Sequence, residues 1–419
     1  MRRRVFLTGI GVVAPGAVGA DRFWSLLSEG RTATRTMSLC DPTPFRSRVA
    51  AEVDFDPLAH GLTDRQASTL DRAAQFALAA AREAVEDAGW AGSCPPHRAG
   101  AIVGSAVGAT TRLEQVYRTL SRDGELWDVL PHGPASLYSY FVPSSFAAEI
   151  ARDHGLTGQS GVVSTGCTSG IDAVGHAWEL IQDGVLDCAV TGATDAPIAP
   201  ITVACFDAIK ATSTYNDTPS TASRPFDCSR AGFVLGEGSA MFVLESEESV
   251  AARGATVYAE IKGYASRGNA YHMTGLTPDG RELALAVTSA LAQSGIEATG
   301  LDYVNAHGSG TKQNDRHETA ALKAGLGDAA YKVPISSIKS MVGHSLGAIG
   351  SIEIAACALA IRHDRIPPTA NLTAQDPDLD LDYVPVRSRR QPTNAVLTTG
   401  SGFGGFQSAM VLTDPAVLS

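Results

Sequence analysis

Three short stretches in the first half of this 419-residue chain come back, in the same order, in the second half. Val5-Phe6-Leu7-Thr8-Gly9 and Tyr258-Ala259-Glu260-Ile261-Lys262-Gly263 are each a strand-like run that stops at glycine. Gly166-Cys167-Thr168-Ser169-Gly170 and Gly343-His344-Ser345-Leu346-Gly347 each open a stretch of helical apolar spacing. Ser239-Ala240-Met241-Phe242-Val243-Leu244 and Ser408-Ala409-Met410-Val411-Leu412 each read as a closing strand. An ordered echo restricts the fold more than any single motif, because both halves must then be built on one plan. The junction is expected where Arg253-Gly254 closes an acidic helix, dividing the chain into residues 1–254 and 255–419. The length, too great for one ordinary core, also argues for two units.

Between these marks, apolar runs alternate with helical spacing. Ala99–Val103 and Cys188–Val190 read as strands, and Gly161–Ser164 as a short buried one. Asp71–Glu86 repeats Ala74, Ala77, Leu78, Ala81 and Val85 on one face, and Arg281–Ser294 repeats the pattern. Near-continuous apolar strands alternating with helices imply an α/β fold with a parallel-rich sheet covered by helices. Duplicated, that plan places two sheets around shared helices, with a site at their junction. Residues 110–160 break the pattern at Pro131, Gly133, Pro134 and Pro143, as an insertion or a partner surface would.

The formal net charge of −11 excludes nucleic acid as a natural partner, since phosphate binding needs clustered Lys and Arg. Arg2-Arg3-Arg4 and the apolar run behind them imitate a secretory leader, but Thr8, Gly9 and Gly11 interrupt it and favour a first strand. No apolar run is expected to reach the roughly 18 residues that span a membrane. Seven scattered cysteines without CxxC spacing argue against a disulfide framework and a zinc site, and for a reducing cytoplasm.

Cys167 stands where a strand turns into a helix. A thiol there meets the positive helix end and its unpaired N–H groups, which are expected to favour thiolate. A lone cysteine is ordinarily a buried structural one, but three further segments lie near strand ends, where ligands bind in α/β sheets. They are Asn305-Ala306-His307-Gly308-Ser309-Gly310-Thr311, then Ser336–Ser345 with Lys339 and His344, then Thr399-Gly400-Ser401-Gly402-Phe403-Gly404-Gly405-Phe406.

Together, the Cys167 segment, the His307 run continuing through Lys312-Gln313-Asn314-Asp315, Lys339–Ala348 and Gly402–Gly405 resemble the β-ketoacyl-ACP synthase family. The likeness runs over essentially the whole chain, and its nearest branch is the ketosynthase alpha subunit of type II aromatic polyketide synthases. It implies a thiolase-like fold, two duplicated βαβ-type halves in a five-layer αβαβα sandwich. It implies an acyltransferase that condenses malonyl-ACP, with loss of CO₂, onto an acyl or polyketide chain held on Cys167. His307 and His344 would hold the malonyl carbonyl. The backbone N–H groups of Cys167 and Phe403 would form the oxyanion hole, with the Phe403 ring as gate. Lys339 and Glu318 would form a supporting ion pair. Phe233, Asp315 and Ser345 would line the pocket or lie behind its wall. Ser401 departs from the aromatic that many fatty-acid members carry there, which implies a wider pocket.

The resemblance implies no metal and no tightly bound cofactor; phosphopantetheine would arrive on the acyl carrier protein. It also implies a heterodimer with a chain-length-factor paralogue. Competing readings are a fatty-acid synthase of the same family, a non-catalytic chain-length subunit, and a serine hydrolase built on the G-x-S-x-G run at Ser345.

Overall fold

The computed structural model describes residues 2–90, 92–126 and 133–416. Along the main path of the central sheet each half supplies five strands. In the first they are Val5–Ala14, Ala99–Gly104, Gly161–Val163, Cys188–Asp195 and Gly238–Ser246. In the second they are Ala259–Gly268, Tyr303–Asn305, Ile335–Ser336, Ala395–Gly402 and Phe406–Thr413. Both sets lie side by side in the order third, second, fourth, fifth, first. In both, the second strand pairs parallel with the third and fourth, while the fifth runs antiparallel to the fourth and the first. The echo in the sequence is therefore a duplication of topology. The two first strands meet antiparallel at Phe6 opposite Glu260 and Leu7 opposite Ala259, the seam between the half-sheets.

The strand that follows Arg2-Arg3-Arg4 is buried along its whole length at the centre of the sheet. The stretch that imitates a leader is thus part of the core. Gly161–Val163 differs from expectation: it is half-buried, because it lies at the sheet edge with Ala99–Gly104 on one side only. Residues 110–160 form helices Thr110–Ser121, Leu137–Phe141 and Ser145–His154; the breaker Pro131 lies outside the described residues.

After its third strand, each half sends a helix into the interior. These are Ser169–Gln182 and Ile349–His363, and they pack on each other and on strands of both halves. Their close approach depends on two glycines. A Cβ on Gly170 would stand 2.4 Å from the Ser351 nitrogen, and one on Gly350 would stand 2.8 Å from the Ile171 nitrogen. Every residue from Ile349 to Ile361 is buried, and each isoleucine or leucine so covered stabilises by about 1.5–3 kcal/mol. Leu346–His363, with a mean hydropathy of 1.4, is long and apolar enough to cross a membrane, contrary to expectation; 89% of it is buried inside the fold, so its apolar surface is covered by the rest of the chain.

Arg72–Asp87 covers the outer face of the first sheet and Arg281–Ser294 that of the second. Asp71 caps the former by accepting the Ala73 N–H at 2.8 Å. Outer helix, sheet, inner helix pair, sheet and outer helix make five layers. The boundary expected at 254/255 falls in the link between helix Glu247–Arg253 and strand Ala259–Gly268.

Candidate active site

The inner helices begin next to one another, and the residues just before them carry the chemistry. Cys167 sits in the short 3-10 turn Gly166–Thr168 ahead of Ser169–Gln182. Gly166 has φ +61°, which lets the chain reverse there and leaves room beside the Phe403 carbonyl. The Phe403 backbone N–H lies near enough to the Cys167 sulfur to favour its ionised form. A Cβ on Gly402 would lie 3.3 Å from the Cys167 nitrogen, so the two loops are in contact.

Cys167 keeps some surface towards the cleft while protein crowds the sulfur elsewhere. This burial pushes the thiol up to about 11, against the pull of the Lys339 charge and the Phe403 N–H. The expected thiolate is therefore corrected: in the resting site desolvation outweighs the Lys339 charge and the Phe403 N–H, and the sulfur keeps its proton.

His307 follows strand Tyr303–Asn305 and is held by its backbone. Its N–H donates to Glu318 Oε1 at 2.7 Å, and its carbonyl accepts from Lys339 Nζ at 2.5 Å. Glu318 also accepts the Gly308 N–H at 2.7 Å and the Thr399 hydroxyl at 2.7 Å. His344 is tied to the run after Phe233: its N–H donates to the Val234 carbonyl at 2.8 Å and its carbonyl accepts from the Gly236 N–H at 2.9 Å. The two imidazole centroids stand 5.3 Å apart, nearly perpendicular.

Both rings are neutral and their tautomers follow from their neighbours. Burial first, then the Lys339 charge, holds each well below the usual histidine range. The Leu346 N–H donates to His344 Nδ1 at 3.2 Å. The Lys339 ammonium lies 3.5 Å from His307 Nδ1 and has only protons to offer. Each Nδ1 is thus an acceptor, and each ring carries its proton on Nε2.

Lys339 and Glu318, expected as an ion pair, are not paired with each other. The buried Lys339 pairs with Glu353, while Glu318 accepts backbone N–H groups and a hydroxyl. Burial raises the Glu353 carboxyl and Lys339 opposes the rise. Glu353 escaped the sequence reading although its signal was present, as the lone charge within the apolar run from Ile349 to Ile361.

A cleft of about 470 Å³ opens over these groups and is lined by Cys167, His307, His344, Phe233 and Phe403, among others. The Phe233 ring lies 5.2 Å from His344 and 5.3 Å edge-on to Phe206, an aromatic of the cleft that carried no motif. Ser401 and Asn314 also reach the cleft. Asp315 and Ser345 do not. Asp315 accepts the Phe226 and Gly310 N–H groups and pairs with buried Arg230, which shapes the loop after His307. Ser345 is buried without a partner for its hydroxyl, and it follows the short helix Lys339–Val342. The strand that a nucleophile elbow requires is missing at that point, which removes the hydrolase reading.

Family models for the N-terminal and C-terminal domains of β-ketoacyl synthases match residues 2–249 and 258–373. The chain belongs to the β-ketoacyl synthase family. This synthase is 60% identical over 416 residues to the tetracenomycin polyketide synthase ketoacyl synthase alpha subunit of Streptomyces glaucescens, covering 99% of this chain and 97% of that one. It is 57% identical to the actinorhodin polyketide putative β-ketoacyl synthase 1 of Streptomyces coelicolor, covering 99% and 89%. A 3-oxoacyl-[acyl-carrier-protein] synthase 2 of Coxiella burnetii is 37% identical, covering 98% of each chain. The gap favours the polyketide branch over the fatty-acid one. A solved type II PKS acyl-carrier protein complex with its ketosynthase bound to the hexaketide matches with a TM-score of 0.92 at 35% identity, covering 99% of each chain. The ishigamide ketosynthase/chain length factor matches at 0.90 and 33%, again covering 99% of each. The synthase therefore has the thiolase-like ketosynthase fold.

Proposed function

We propose that this synthase lengthens a polyketide by two carbons at a time, with Cys167 as the acyl carrier and His307 and His344 as the malonyl site. The observation that supports this most is the pair of neutral imidazoles, each with its proton on Nε2, in one cleft with the Cys167 sulfur.

In this reading Cys167 attacks the thioester of an acyl chain on the carrier protein. The phosphopantetheine thiol leaves with the proton that the cysteine gives up. A malonyl thioester then enters with its carbonyl oxygen against the two Nε2–H groups. As the C–CO₂ bond breaks, its electron pair moves towards that oxygen, and the two donors stabilise the enolate as charge develops. The enolate carbon attacks the acyl carbon on Cys167. The Cys167 and Phe403 N–H groups hold the oxyanion, which collapses and expels the cysteine sulfur as thiolate, and that thiolate takes up a proton from solvent to restore the resting thiol. Burial keeps both histidines neutral, and Lys339, paired with Glu353, adds to it because its charge opposes a second positive charge nearby. Glu318 positions His307 through the backbone. A non-catalytic role is disfavoured by the presence of Cys167, His307 and His344 together.

The partners in this reading are an acyl carrier protein and a chain-length-factor paralogue, as in the ketosynthase complexes above. No metal or tightly held cofactor takes part; the phosphopantetheine belongs to the carrier. The working unit is the whole chain, divided at 254/255, since the cleft draws on both sides of that link. Seven free cysteines suit a reducing cytoplasm. Intact-protein mass spectrometry after incubation with acyl-loaded carrier protein tests the reading. An acyl adduct mapped to Cys167 is expected; an adduct elsewhere, or none with the paralogue present, refutes it.

A further inference from the structure

Ser401 stands at the edge of the cleft, one residue before Gly402 and two before Phe403. Its Oγ lies 2.7 Å from the Gln407 side-chain oxygen as placed, and that same atom lies 3.3 Å from His317 Nε2. The other end of the Gln407 amide has no partner, although Gln407 is fully buried and His317 is 1% exposed. His317 Nδ1 is 2.6 Å from the Thr277 carbonyl, which can only accept. The Nδ1 proton is therefore committed to that carbonyl.

In a neutral ring so fixed, Nε2 is a lone pair and wants a donor. Protonating it would place a cation in the interior with no ion pair among the described residues. The two ends of a carboxamide are the same size, so the hydrogen-bond pattern decides which end faces the ring. With its NH₂ towards His317, Gln407 uses one proton on Nε2 and the other on Ser401 Oγ. One carbonyl oxygen is then left unpaired instead of an NH₂ group, the better tolerated omission. Ser401 becomes an acceptor from Gln407, and its own O–H is free to donate into the cleft.

We infer that Ser401 selects β-keto over saturated acyl chains by donating a hydrogen bond to the ketone oxygen next to the Cys167 thioester, with Gln407 and His317 as positioning residues. This rests on the proposed function and deepens it. The thioester oxygen is held by Cys167 and Phe403. A ketone two carbons further along the chain comes beside the strand end that leads to Phe403, where Ser401 shares the wall with Phe206, Phe233 and Phe403; the polar residues Ser309, Thr311, Gln313 and Asn314 line the cleft from the loop and helix after His307. A reduced chain has nothing to accept the bond, so the hydroxyl loses a partner when such a chain binds.

The test uses the synthase with its paralogue and carrier protein loaded with acetoacetyl or butyryl groups, both of four carbons. Transfer to Cys167 is timed by intact mass. Ser401→Ala is expected to lower acetoacetyl transfer about tenfold relative to butyryl transfer, and Ser401→Thr, which keeps the hydroxyl, to restore the ratio. Gln407→Leu is expected to move the ratio in the same direction. If Ser401→Ala slows both substrates by one factor, or neither, the selection role is overturned while loading of Cys167 still supports the proposed function. If Gln407→Leu leaves the wild-type ratio, the relay behind the hydroxyl is overturned. If neither group loads Cys167 in the wild type, both readings fall together.

Discussion

The two halves raise the same scaffold and put opposite chemistry on it. In each, a turn after the third strand delivers one reactive group to the start of an inner helix, a sulfur at Cys167 and an imidazole at His344. Beneath each turn lies one buried carboxylate on the helix. Asp172 accepts only hydroxyls, from Thr165, Thr168, Tyr264 and Ser408. Glu353 instead faces the Lys339 ammonium. The two carboxylates do not occupy matching positions of the echo, Asp172 being the fourth residue of its helix and Glu353 the fifth of its own, and their partners differ in kind. A nucleophile needs a fixed turn, which neutral donors supply. The enolate site needs neutral imidazoles, which burial imposes and a nearby cation reinforces.

The largest effect expected from this contrast separates the halves outright. Cys167→Ala abolishes chain extension, by about 10⁴-fold or more, yet leaves decarboxylation of malonyl-loaded carrier protein, followed by CO₂ release. His307→Ala and His344→Ala each lower that decarboxylation by about 10²–10³ and leave Cys167 able to take an acyl group. Loss of decarboxylation in the cysteine variant would erase the division of labour.

Next come the two carboxylates, compared by thermal unfolding. Glu353→Gln strands the Lys339 charge in the interior and costs about 3–5 kcal/mol. Asp172→Asn costs about 1–3 kcal/mol, because hydroxyls can turn to suit an amide. Equal costs would mean that the cation on one side makes no difference.

The glycine pair sharpens the comparison further. Gly170→Ala brings a carbon to 2.4 Å from a backbone nitrogen and Gly350→Ala to 2.8 Å. Both destabilise, by about 1–3 kcal/mol, and Gly170→Ala by more. The reverse ranking in melting temperature would show that the helix on the second-half side is the one that yields.

The smallest effect concerns the resting thiol. Its folded-state value, about 11, lies above that of an exposed cysteine, so the folded site binds a proton that an open chain sheds as pH rises. Alkylation of Cys167 by iodoacetamide, followed on its own peptide, is expected to climb steadily from pH 7 to pH 10. A plateau below pH 7 would show that the helix end prevails over burial.

Much of this was legible because duplication writes itself twice. The turns at Cys167 and His344 fell where the echoes put them, whereas the strands expected to stop at Gly9 and Gly263 run on to Ala14 and Gly268, with a register shift at each of those glycines. Pairings across the fold were harder. Lys339 and Glu318 both sit in chemical-looking runs, and nothing local shows that a backbone amide, and not an ammonium, faces Glu318. Phe206 lies in the helix Pro200–Ala208, whose apolar spacing resembles any other, so its place beside Phe233 emerges only from packing. The thiol's protonation depends on how deeply the sulfur is enclosed, a property of the assembled halves that no local pattern carries.

The mutual burial of the inner helices has a consequence during synthesis. Ser169–Gln182 is translated well before Ile349–His363, the surface that covers it. At ribosomal speeds of about 5–20 residues per second, the wait is roughly 10–30 seconds. Through that interval the nascent first half presents a greasy flank to the cell, and a chaperone or a slow codon near the link would have its greatest influence on yield there.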